Sequence, residues 1–423
     1  MDQEELERRR KERQEVRLQR QKQRKRRSVL LAVGAAVLVL LAVVILVVAL
    51  VGRSGPSDTT DNETTIPPEE NPDLTVIHLA AAGDLNITEA VVASGGSEYD
   101  YTDTFLDVVP LLAHADLTAV NFEGNFYGAP YGIDRSAPEG LATSLSKAGV
   151  DLVQLANSYT IYKGMDGLSS TVRTVRSAGM EPVGAYANAD EAKSGKGYTL
   201  RTVDGVKVAF VAFTKGMDGM ALPAGNEGCV NLLYTDYASA YQQIDKDGIR
   251  AVLSAVDKAK PDVVVALLHW GSEYNNTISQ SQLDICEFLQ DNGVDAIIGT
   301  HSHYVQEMVF DPEKGTFVAY SLGDFCGDAS RAGSEYSVVL DLEITKNHVT
   351  GETKVTGYSY TPIFTVAEEG KPIRVVRIHE AIAAYDGGYI EKVEKTTYDA
   401  MQYALERIEA RVHPQKEEEK TEE

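Results

Sequence analysis

Cysteine is scarce in this chain, which has only Cys229, Cys286 and Cys326 among its 423 residues. The three are far apart and odd in number, so they form neither a CxxC zinc motif nor a disulfide framework. The chain also lacks a Gly-x-Ser-x-Gly nucleophile elbow and a Walker-type phosphate loop. These absences weaken the hypothesis of nucleophilic catalysis and leave no motif for a Walker-type nucleotide site.

Positive charge is also scarce outside the N-terminus. The formal net charge is −23, yet residues 1–27 hold twelve Lys or Arg and six Asp or Glu, a net of +6 that leaves −29 for the rest. Binding to nucleic acid needs clustered cations that contact phosphates. The acidic body of the chain therefore argues against a nucleic-acid partner.

One long uncharged apolar run, residues 29–51, follows the basic segment directly. A helix of this length would extend about 34 Å, enough to cross a bilayer core of about 30 Å. The basic residues 24–27 flank its N-terminal side, so the positive-inside rule keeps the N-terminus cytoplasmic and exports the remainder. The sequence thus predicts a single-pass protein of the cell membrane, with a cleaved signal sequence as the alternative. An exported domain without disulfides fits a bacterial cell surface.

Composition divides the chain further. Residues 54–73 are polar, acidic and rich in Pro and Thr, which is typical of a disordered stalk. Beyond them, apolar strand-like runs alternate with helical patterns, which predicts a mixed α/β sheet covered on both faces. The predicted parts are a basic cytoplasmic segment (1–28), a transmembrane helix (29–51), the stalk (52–73), a folded domain (74–380), a C-terminal amphipathic helix (381–413) and a charged tail (414–423).

The C-terminal helix is predicted from apolar residues that recur every three or four positions between Tyr389 and Val412. Met401, Leu405 and Ile408 belong to this stripe. It favours a helix packed on the flank of the domain, and a partner-binding helix is the alternative.

Polar patches follow six of the apolar runs, where each predicted strand ends. Ligands of open α/β sheets bind outside the carboxyl ends of the strands. Carboxylates, imidazoles and amides that meet at such an edge suit a divalent cation. The six patches are Gly83-Asp84-Leu85-Asn86, Asn121-Phe122-Glu123, Asn157-Ser158-Tyr159, His269-Trp270-Gly271-Ser272-Glu273, His301-Ser302-His303 and Gly323-Asp324.

The histidines give the sharpest local signal. His301 and His303 are two residues apart, so in an extended segment both would face the same side. His269 ends the most apolar strand, and Glu273 could orient its imidazole as a hydrogen-bond acceptor. Asp84, Asn86 and Glu123 could supply carboxylate and amide oxygens, although Asp84 could instead form a turn and Glu123 could instead be solvated.

The patches, in this order, resemble the bacterial capsule-synthesis protein CapA family of poly-γ-glutamate biosynthesis. The resemblance extends from about Thr75 to Thr365 and is carried by AAGDLNIT, NFEGN, LANSYTIYKGMDGL, LLHWGSEY, IIGTHSHYVQ and SLGDF. It implies a metallophosphatase-like mixed-sheet sandwich, similar to the calcineurin-like metallophosphoesterases, in the α/β class.

The resemblance also implies a metal site, with Mn or Zn as the expected divalent ion and one or two ions bound. Asp84, Asn86, Glu123 and His303 would face one metal, and Glu123, His269, His301 and the patch at 157–159 would face the other. Glu123 would bridge them. Asp84, Asn157 and His269 would be catalytic, while Tyr159, Glu273, Asp324 and Lys163 would support the site or contact substrate.

The chain departs from the family pattern at a critical place. Where the family has Ala-Asn-Asn-His, this chain reads Ala156-Asn157-Ser158-Tyr159, and Asp324 replaces an Asn. Ser158 stands where an amide would bind metal, and Tyr159 stands where a His would protonate the leaving group. A phenol with a pKa of about 10 replaces that His poorly. Hydrolysis should therefore be slow or absent.

The expected function is the synthesis, export or attachment of an anionic capsule polymer such as poly-γ-glutamate. The expected partners are the membrane, the anionic polymer, and membrane proteins of polymer synthesis or export. Two mechanisms stay open: a metal-dependent phosphoesterase or other hydrolase of the cell envelope, and a non-catalytic polymer-binding assembly subunit.

Overall fold

The computed structural model describes residues 73–389 and 393–414. The predicted basic segment, transmembrane helix and stalk, apart from Asp73, lie outside this part, as does the tail beyond residue 414. None of the helices in the described ranges is long and apolar enough to span a bilayer.

The described part of the chain contains fourteen strands. They are β1 (Leu74–Asn86), β2 (Leu117–Glu123), β3 (Leu152–Gln154), β4 (Glu181–Val183), β5 (Tyr198–Val203), β6 (Val206–Thr214), β7 (Val263–His269), β8 (Ala296–Thr300), β9 (Met308–Asp311), β10 (Thr316–Ala319), β11 (Asp324–Cys326), β12 (Tyr336–Asn347), β13 (Thr353–Val366) and β14 (Arg374–Arg377).

The helices are mostly short. They are α1 (Glu89–Ala93), α2 (Thr102–Phe105), α3 (Val109–Leu112), α4 (Glu139–Ala148), α5 (Gly164–Ser177), α6 (Ala189–Gly195), α7 (Lys246–Ala259), α8 (Gln280–Asp291), α9 (Ile378–Asp386) and α10 (Lys395–Val412), with 3₁₀ turns at Leu106–Val108 and Ile133–Arg135.

The strands form two mixed sheets. The first has eight strands in the order β14-β13-β12-β1-β2-β3-β4, with β11 paired to β1, and the second has six in the order β5-β6-β7-β8-β10-β9. Strands β1 to β4 run parallel, and so do β6, β7, β8 and β10. Antiparallel strands complete both sheets. The mixed α/β sandwich expected from the sequence is confirmed.

Strand β6 shows why both faces of the second sheet are covered. Val208, Phe210 and Ala212 belong to a core cluster that they share with strands of the first sheet. The alternate residues Val211 and Phe213 belong to a second cluster, with apolar residues of α7 and α8. Successive side chains of a strand point to opposite faces, so an apolar run without alternation marks a strand that is buried on both sides.

An aspartate stands immediately before four of the parallel strands and makes the same pair of hydrogen bonds each time. Its backbone N–H donates to a carbonyl of the neighbouring strand, and its carboxylate accepts the N–H of that same residue, at 2.7–3.2 Å. We call this pair the aspartate clamp. The clamps join Asp116 to His78, Asp151 to Thr118, Asp262 to Lys207, and Asp295 to Val264. Each fixes the register of two parallel strands at one end of the sheet.

The C-terminal region differs from its prediction. The single helix expected over 381–413 is two helices, α9 and α10, and residues 390–392 between them lie outside the described ranges. Helix α9 ends before Gly387-Gly388, where Gly388 has φ of 88°, a value that glycine adopts without strain. The predicted apolar stripe on α10 is confirmed, since Met401, Ile408 and Val412 are buried.

Candidate metal centre

The carboxyl ends of β1 and β2 in one sheet and of β7 and β8 in the other converge on one buried cluster. All six predicted metal ligands lie in or beside this cluster: Asp84, Asn86, Glu123, His269, His301 and His303. Asp84 lies within β1 rather than in a turn after it, and Glu123 is the last residue of β2. Every one of these side chains is buried.

One group of potential metal ligands consists of Glu123, His269 and His301. Their ligand atoms lie within 4.8 Å of one another. The His269 Nε2 atom is 2.6 Å from Glu123 Oε1, and the rings of His269 and His301 are 4.3 Å apart. A carboxylate with two imidazoles is a donor set that suits Zn or Mn.

A second group consists of Asp84, His303 and Asp324, again with ligand atoms within 4.8 Å of one another. His303 Nδ1 lies 2.7 Å from Asp324 Oδ1 and 3.6 Å from Asp84 Oδ2. Asn86 lies beside this group, with its amide nitrogen 3.0 Å from Asp324 Oδ1. Asp324, which the sequence suggested as a supporting residue, therefore sits among the potential ligands.

Asn121 and the backbone of His301 connect the two groups. The Asn121 amide donates to Asp84 Oδ1 at 2.6 Å and to Glu123 Oε1 at 3.3 Å. The His301 N–H donates to Asp84 Oδ2 at 2.9 Å. Glu123 belongs to one group only, so the geometry does not single it out as the bridging residue that the resemblance implied.

His301 and His303 reach the cluster by a backbone conformation that the sequence did not predict. Their φ angles are 88° and 59°, in the left-handed region that non-glycine residues rarely adopt. The sequence-based prediction assumed an extended segment, in which residues two apart share a face. That assumption is wrong, although both side chains reach the cluster. Strained conformations of this kind persist where the surrounding structure holds them and are typical of functional sites.

Three carboxylates in a buried cluster make a cation favourable. Burial, reinforced by the charge of Glu123, raises the pKa of Asp84 to about 7, and burial raises that of Asp324 to about 6. Burial also opposes ionisation of Glu123, but the hydrogen bond and charge of His269 outweigh it and hold its pKa below the usual value. A bound cation would offset this crowding of negative charge, so the donor set fits a divalent metal.

The two histidines of the His-x-His patch differ in protonation. Burial, together with the charges of His269 and Lys215, lowers the pKa of His301 well below its usual value, so His301 is neutral, as a metal ligand must be. Burial would lower the pKa of His303 as well. The charge of Asp324 and its hydrogen bond outweigh burial there and raise the pKa of His303 to about 10.

Asn157 does not point into the cluster. Its amide donates to Asn121 Oδ1 at 3.0 Å and to the Phe122 carbonyl at 2.7 Å, and its Oδ1 accepts the N–H of Tyr159. The side chain therefore positions Asn121, which in turn contacts Asp84. This arrangement gives Asn157 a positioning role, and the catalytic role implied by the resemblance stays a prediction.

Tyr159 lies beside the cluster and is held by Arg135. The Arg135 guanidinium donates to the Tyr159 hydroxyl at 2.9 Å and lies 4.4 Å from the centre of its ring. Burial raises the pKa of Tyr159 to about 12. A phenol that holds its proton so tightly is a weak general acid near neutral pH.

Two predicted supporting residues have other partners. Glu273 is exposed, and the Nδ1 atom of His269 contacts Thr214 Oγ1 at 3.3 Å, so Thr214 has the orienting role suggested for Glu273. Lys163 donates to Asp134 at 2.8 Å and stabilises the turn that carries Arg135. Lys163 thus supports the rim of the site without a contact to the cluster among the described residues.

The sequence reasoning missed several residues around the cluster. Thr214 ends the apolar strand β6 and Lys215 follows it, so the rule that found the other patches could have found them as well. Tyr274 stacks on His303 at 4.9 Å between ring centres, and the Arg331 guanidinium lies 4.2 Å from the centre of the Tyr274 ring. For Arg135, which lies in a loop, the sequence offers no comparable signal.

Comparison with known protein families shows the family to which the chain belongs. A sequence profile described as "Bacterial capsule synthesis protein PGA_cap" matches residues 78–329, more than half of the chain. The chain belongs to the bacterial capsule synthesis protein family. All six polar patches, and so every potential ligand of the cluster, fall within the matched range.

Curated relatives in this capsule synthesis family are distant. "Capsule biosynthesis protein CapA" of Bacillus anthracis is 27% identical over 291 residues, which cover 66% of this chain and 66% of the relative. "PGA biosynthesis protein CapA" of Bacillus subtilis (strain 168) is 26% identical over 259 residues, or 60% of this chain and 63% of the relative. The chain thus spans slightly less than two thirds of the length of these relatives.

Solved structures are more distant still. Calcineurin-like phosphoesterase YfkN from Bacillus subtilis matches 78% of this chain and 99% of its own chain, with 15% identity and a TM-score of 0.42. A phosphatase from Mycoplasma pneumoniae matches 69% and 94%, with 14% identity and a TM-score of 0.42. Likenesses at this level carry no conclusion about the chemistry of the capsule synthesis family member described here.

Proposed function

We propose that this chain is a membrane-anchored, extracytoplasmic protein that acts in the synthesis, export or attachment of an anionic capsule polymer of the poly-γ-glutamate type. It does so through a divalent-metal site, with Mn or Zn as the ion. The polymer and membrane proteins of its synthesis or export are the proposed partners.

The observation that carries the proposal is the pair of buried ligand groups inside the matched family range. Three carboxylates and three imidazoles lie in one cluster, and Asn121 connects its two halves. Burying this many ionisable groups is costly unless they are paired or bind metal. The cluster would hold the ion through Glu123, His269 and His301, through Asp84, His303 and Asp324, or through both groups. The metal would supply Lewis-acid activation or a direct contact to an anionic group.

Of the two mechanisms, binding without efficient turnover is favoured. The residue at the position of the expected acid is Tyr159, whose pKa is raised to about 12 and whose hydroxyl is held by Arg135. Asn157 is committed to contacts with Asn121 and Phe122. The second candidate function, an active phosphoesterase of the cell envelope, is favoured by the complete set of carboxylates and imidazoles.

The proposal is tested in the native host by deleting the gene and measuring cell-bound polymer. Loss of the polymer, restored by the natural gene but not by one encoding His301→Ala and His303→Ala, supports a metal-dependent role. An unchanged amount of cell-bound anionic polymer in the deletion strain excludes the proposed pathway.

A further inference from the structure

Arg135 stands at the rim of the cluster with most of its hydrogen-bonding capacity unused. Its guanidinium has five N–H donors. One donates to the Ile87 carbonyl at 3.1 Å and one to the Tyr159 hydroxyl at 2.9 Å, and no other acceptor within the described ranges takes the remaining three. The side chain is only partly buried, so these donors are accessible to a ligand.

The position of Arg135 is held from several sides. Gly132, Asp134 and Arg135 all have positive φ angles, which defines a tight turn at Ile133–Arg135. Lys163 fixes this turn through Asp134, and the Tyr159 ring lies against the guanidinium. A guanidinium held in this way loses little freedom when it binds a ligand, which is the condition for a specific contact.

Arg135 is anchored next to the cluster. Its guanidinium donates to the carbonyl of Ile87, which directly follows the predicted ligand Asn86, and to the hydroxyl of Tyr159. Its charge also acts on Glu123 of one ligand group and on Tyr274, which stacks on His303 of the other. No carboxylate pairs with its guanidinium in the part of the chain that the structure describes.

We propose that Arg135 binds the oxyanion of the ligand, a carboxylate or a phosphate, as it enters the cluster, and that Tyr159 positions the guanidinium. The chain thus has an anion-binding pair where the family pattern has a proton donor. This inference rests on the proposed function, because it assumes an anionic ligand at the cluster. It also accounts for how a body with a charge of −29 can accept a polyanion: the contact is locally cationic.

Arginine suits this role because its planar fork gives two parallel hydrogen bonds to one carboxylate or phosphate. Lysine keeps the charge but not the fork. Arg135→Met removes both, Arg135→Lys removes only the fork, and Tyr159→Phe removes the hydroxyl that holds the guanidinium while it keeps the ring. These three variants separate charge, geometry and positioning.

The experiment measures binding to the full-length chain in detergent, by calorimetry, with Mn²⁺ present. The two probes are inorganic phosphate and a short γ-linked glutamate oligomer. We expect Arg135→Met to weaken binding of at least one probe about 10- to 100-fold, as for a lost charge-assisted hydrogen bond. Arg135→Lys and Tyr159→Phe should give smaller losses. The matched control is Arg173→Met, an exposed arginine on α5 whose guanidinium donates to Ser169.

Each outcome decides the question. A loss confined to phosphate assigns a phosphate ligand, and a loss confined to the glutamate oligomer assigns a carboxylate ligand. Equal affinity of Arg135→Met and the natural chain for both probes overturns the inference, as does failure of the natural chain to bind either. Mn²⁺ affinity is measured in parallel. If the natural chain does not bind Mn²⁺, the metal site of the proposed function is refuted. If Arg135→Met still weakens anion binding in that case, the inference about Arg135 stands.

Discussion

The Nε2 atom of His269 lies 2.6 Å from a carboxylate oxygen of Glu123, although one residue ends a strand of the second sheet and the other ends a strand of the first. Both side chains are almost completely buried. The contact joins the two sheets at the ligand cluster, so the geometry of the site depends on how the sheets pack.

Metal binding is the most direct prediction. We expect the full-length chain to bind Mn²⁺ or Zn²⁺. The double change His301→Ala, His303→Ala should weaken that binding at least about 10-fold. Loss of a residue that only hydrogen-bonds to a metal ligand already costs about 10- to 100-fold in metal affinity, and these two residues are the predicted ligands themselves. Calorimetry with the metal ion measures the effect. The matched control is His379→Ala, an exposed histidine away from the cluster. Undiminished affinity in the double variant would remove the site from these residues.

The membrane topology is tested separately. The basic residues before the apolar run 29–51 predict that the folded domain lies outside the cell. Protease added to intact, wall-stripped cells should therefore degrade residues 73–414, and a cytoplasmic marker protein should survive. Complete protection of the domain in these cells would reverse the predicted orientation.

Turnover should be very low in the natural chain because Tyr159 replaces the expected acid and Ser158 the expected amide. General acid catalysis contributes about 10²- to 10⁴-fold. Ser158→Asn together with Tyr159→His should therefore raise metal-dependent hydrolysis of a generic phosphodiester. The assay compares both proteins with and without Mn²⁺. Strong hydrolysis by the natural chain that Asp84→Ala abolishes would show instead that it is a competent enzyme.

Asp295 should make the chain less stable as pH rises. Burial raises its pKa to about 6, above the value of about 4 for an unfolded Asp, so the unfolded chain loses the proton first. Stability then falls between pH 4 and pH 6. The Asp295→Asn variant lacks this titration. The free energy of unfolding of the variant, compared with that of the natural chain, should therefore rise by about 1–2 kcal/mol between pH 4 and pH 7.5. Thermal unfolding followed by fluorescence of Trp270, the only Trp in the sequence, measures this.

Asp262 is the matched comparison, because it forms the same clamp but its pKa is shifted in the opposite direction. Burial works against its ionised form, but hydrogen bonds from Lys346 and from the Lys207 N–H outweigh it and lower the pKa. Its contribution is present above pH 4 and disappears as pH falls. Asp262→Asn should therefore destabilise the chain more at pH 7.5 than at pH 3. The same pH response from both variants would refute the assigned pKa shifts.

The sequence was sufficient for the strands that end in the site. The apolar runs that precede the His269 and His301 patches predicted β7 and β8, because strands that are buried on both faces leave an unbroken apolar signal. The start of helix α8 is fixed by a local signal, a capping box between Ser279 and Gln282.

The parts that were missed depend on long-range or backbone effects. The left-handed conformation of His301 has no signature in residue type. The contact of Arg135 with Tyr159 joins two loops, and short strands such as β4 and β11 are stabilised by pairing more than by their own composition. Local pattern cannot specify contacts of this kind.

The aspartate clamps align the parallel strands at one end, while the residues of the ligand cluster lie at the other. At one end, Asp116, Asp151, Asp262 and Asp295 fix which residues lie side by side, independently of the chemistry at the other end. Substitutions at the carboxyl ends therefore leave strand alignment intact. Ser158 and Tyr159 can therefore stand where the family pattern has an amide and an imidazole, and the function can change, while the alignment of the strands stays the same.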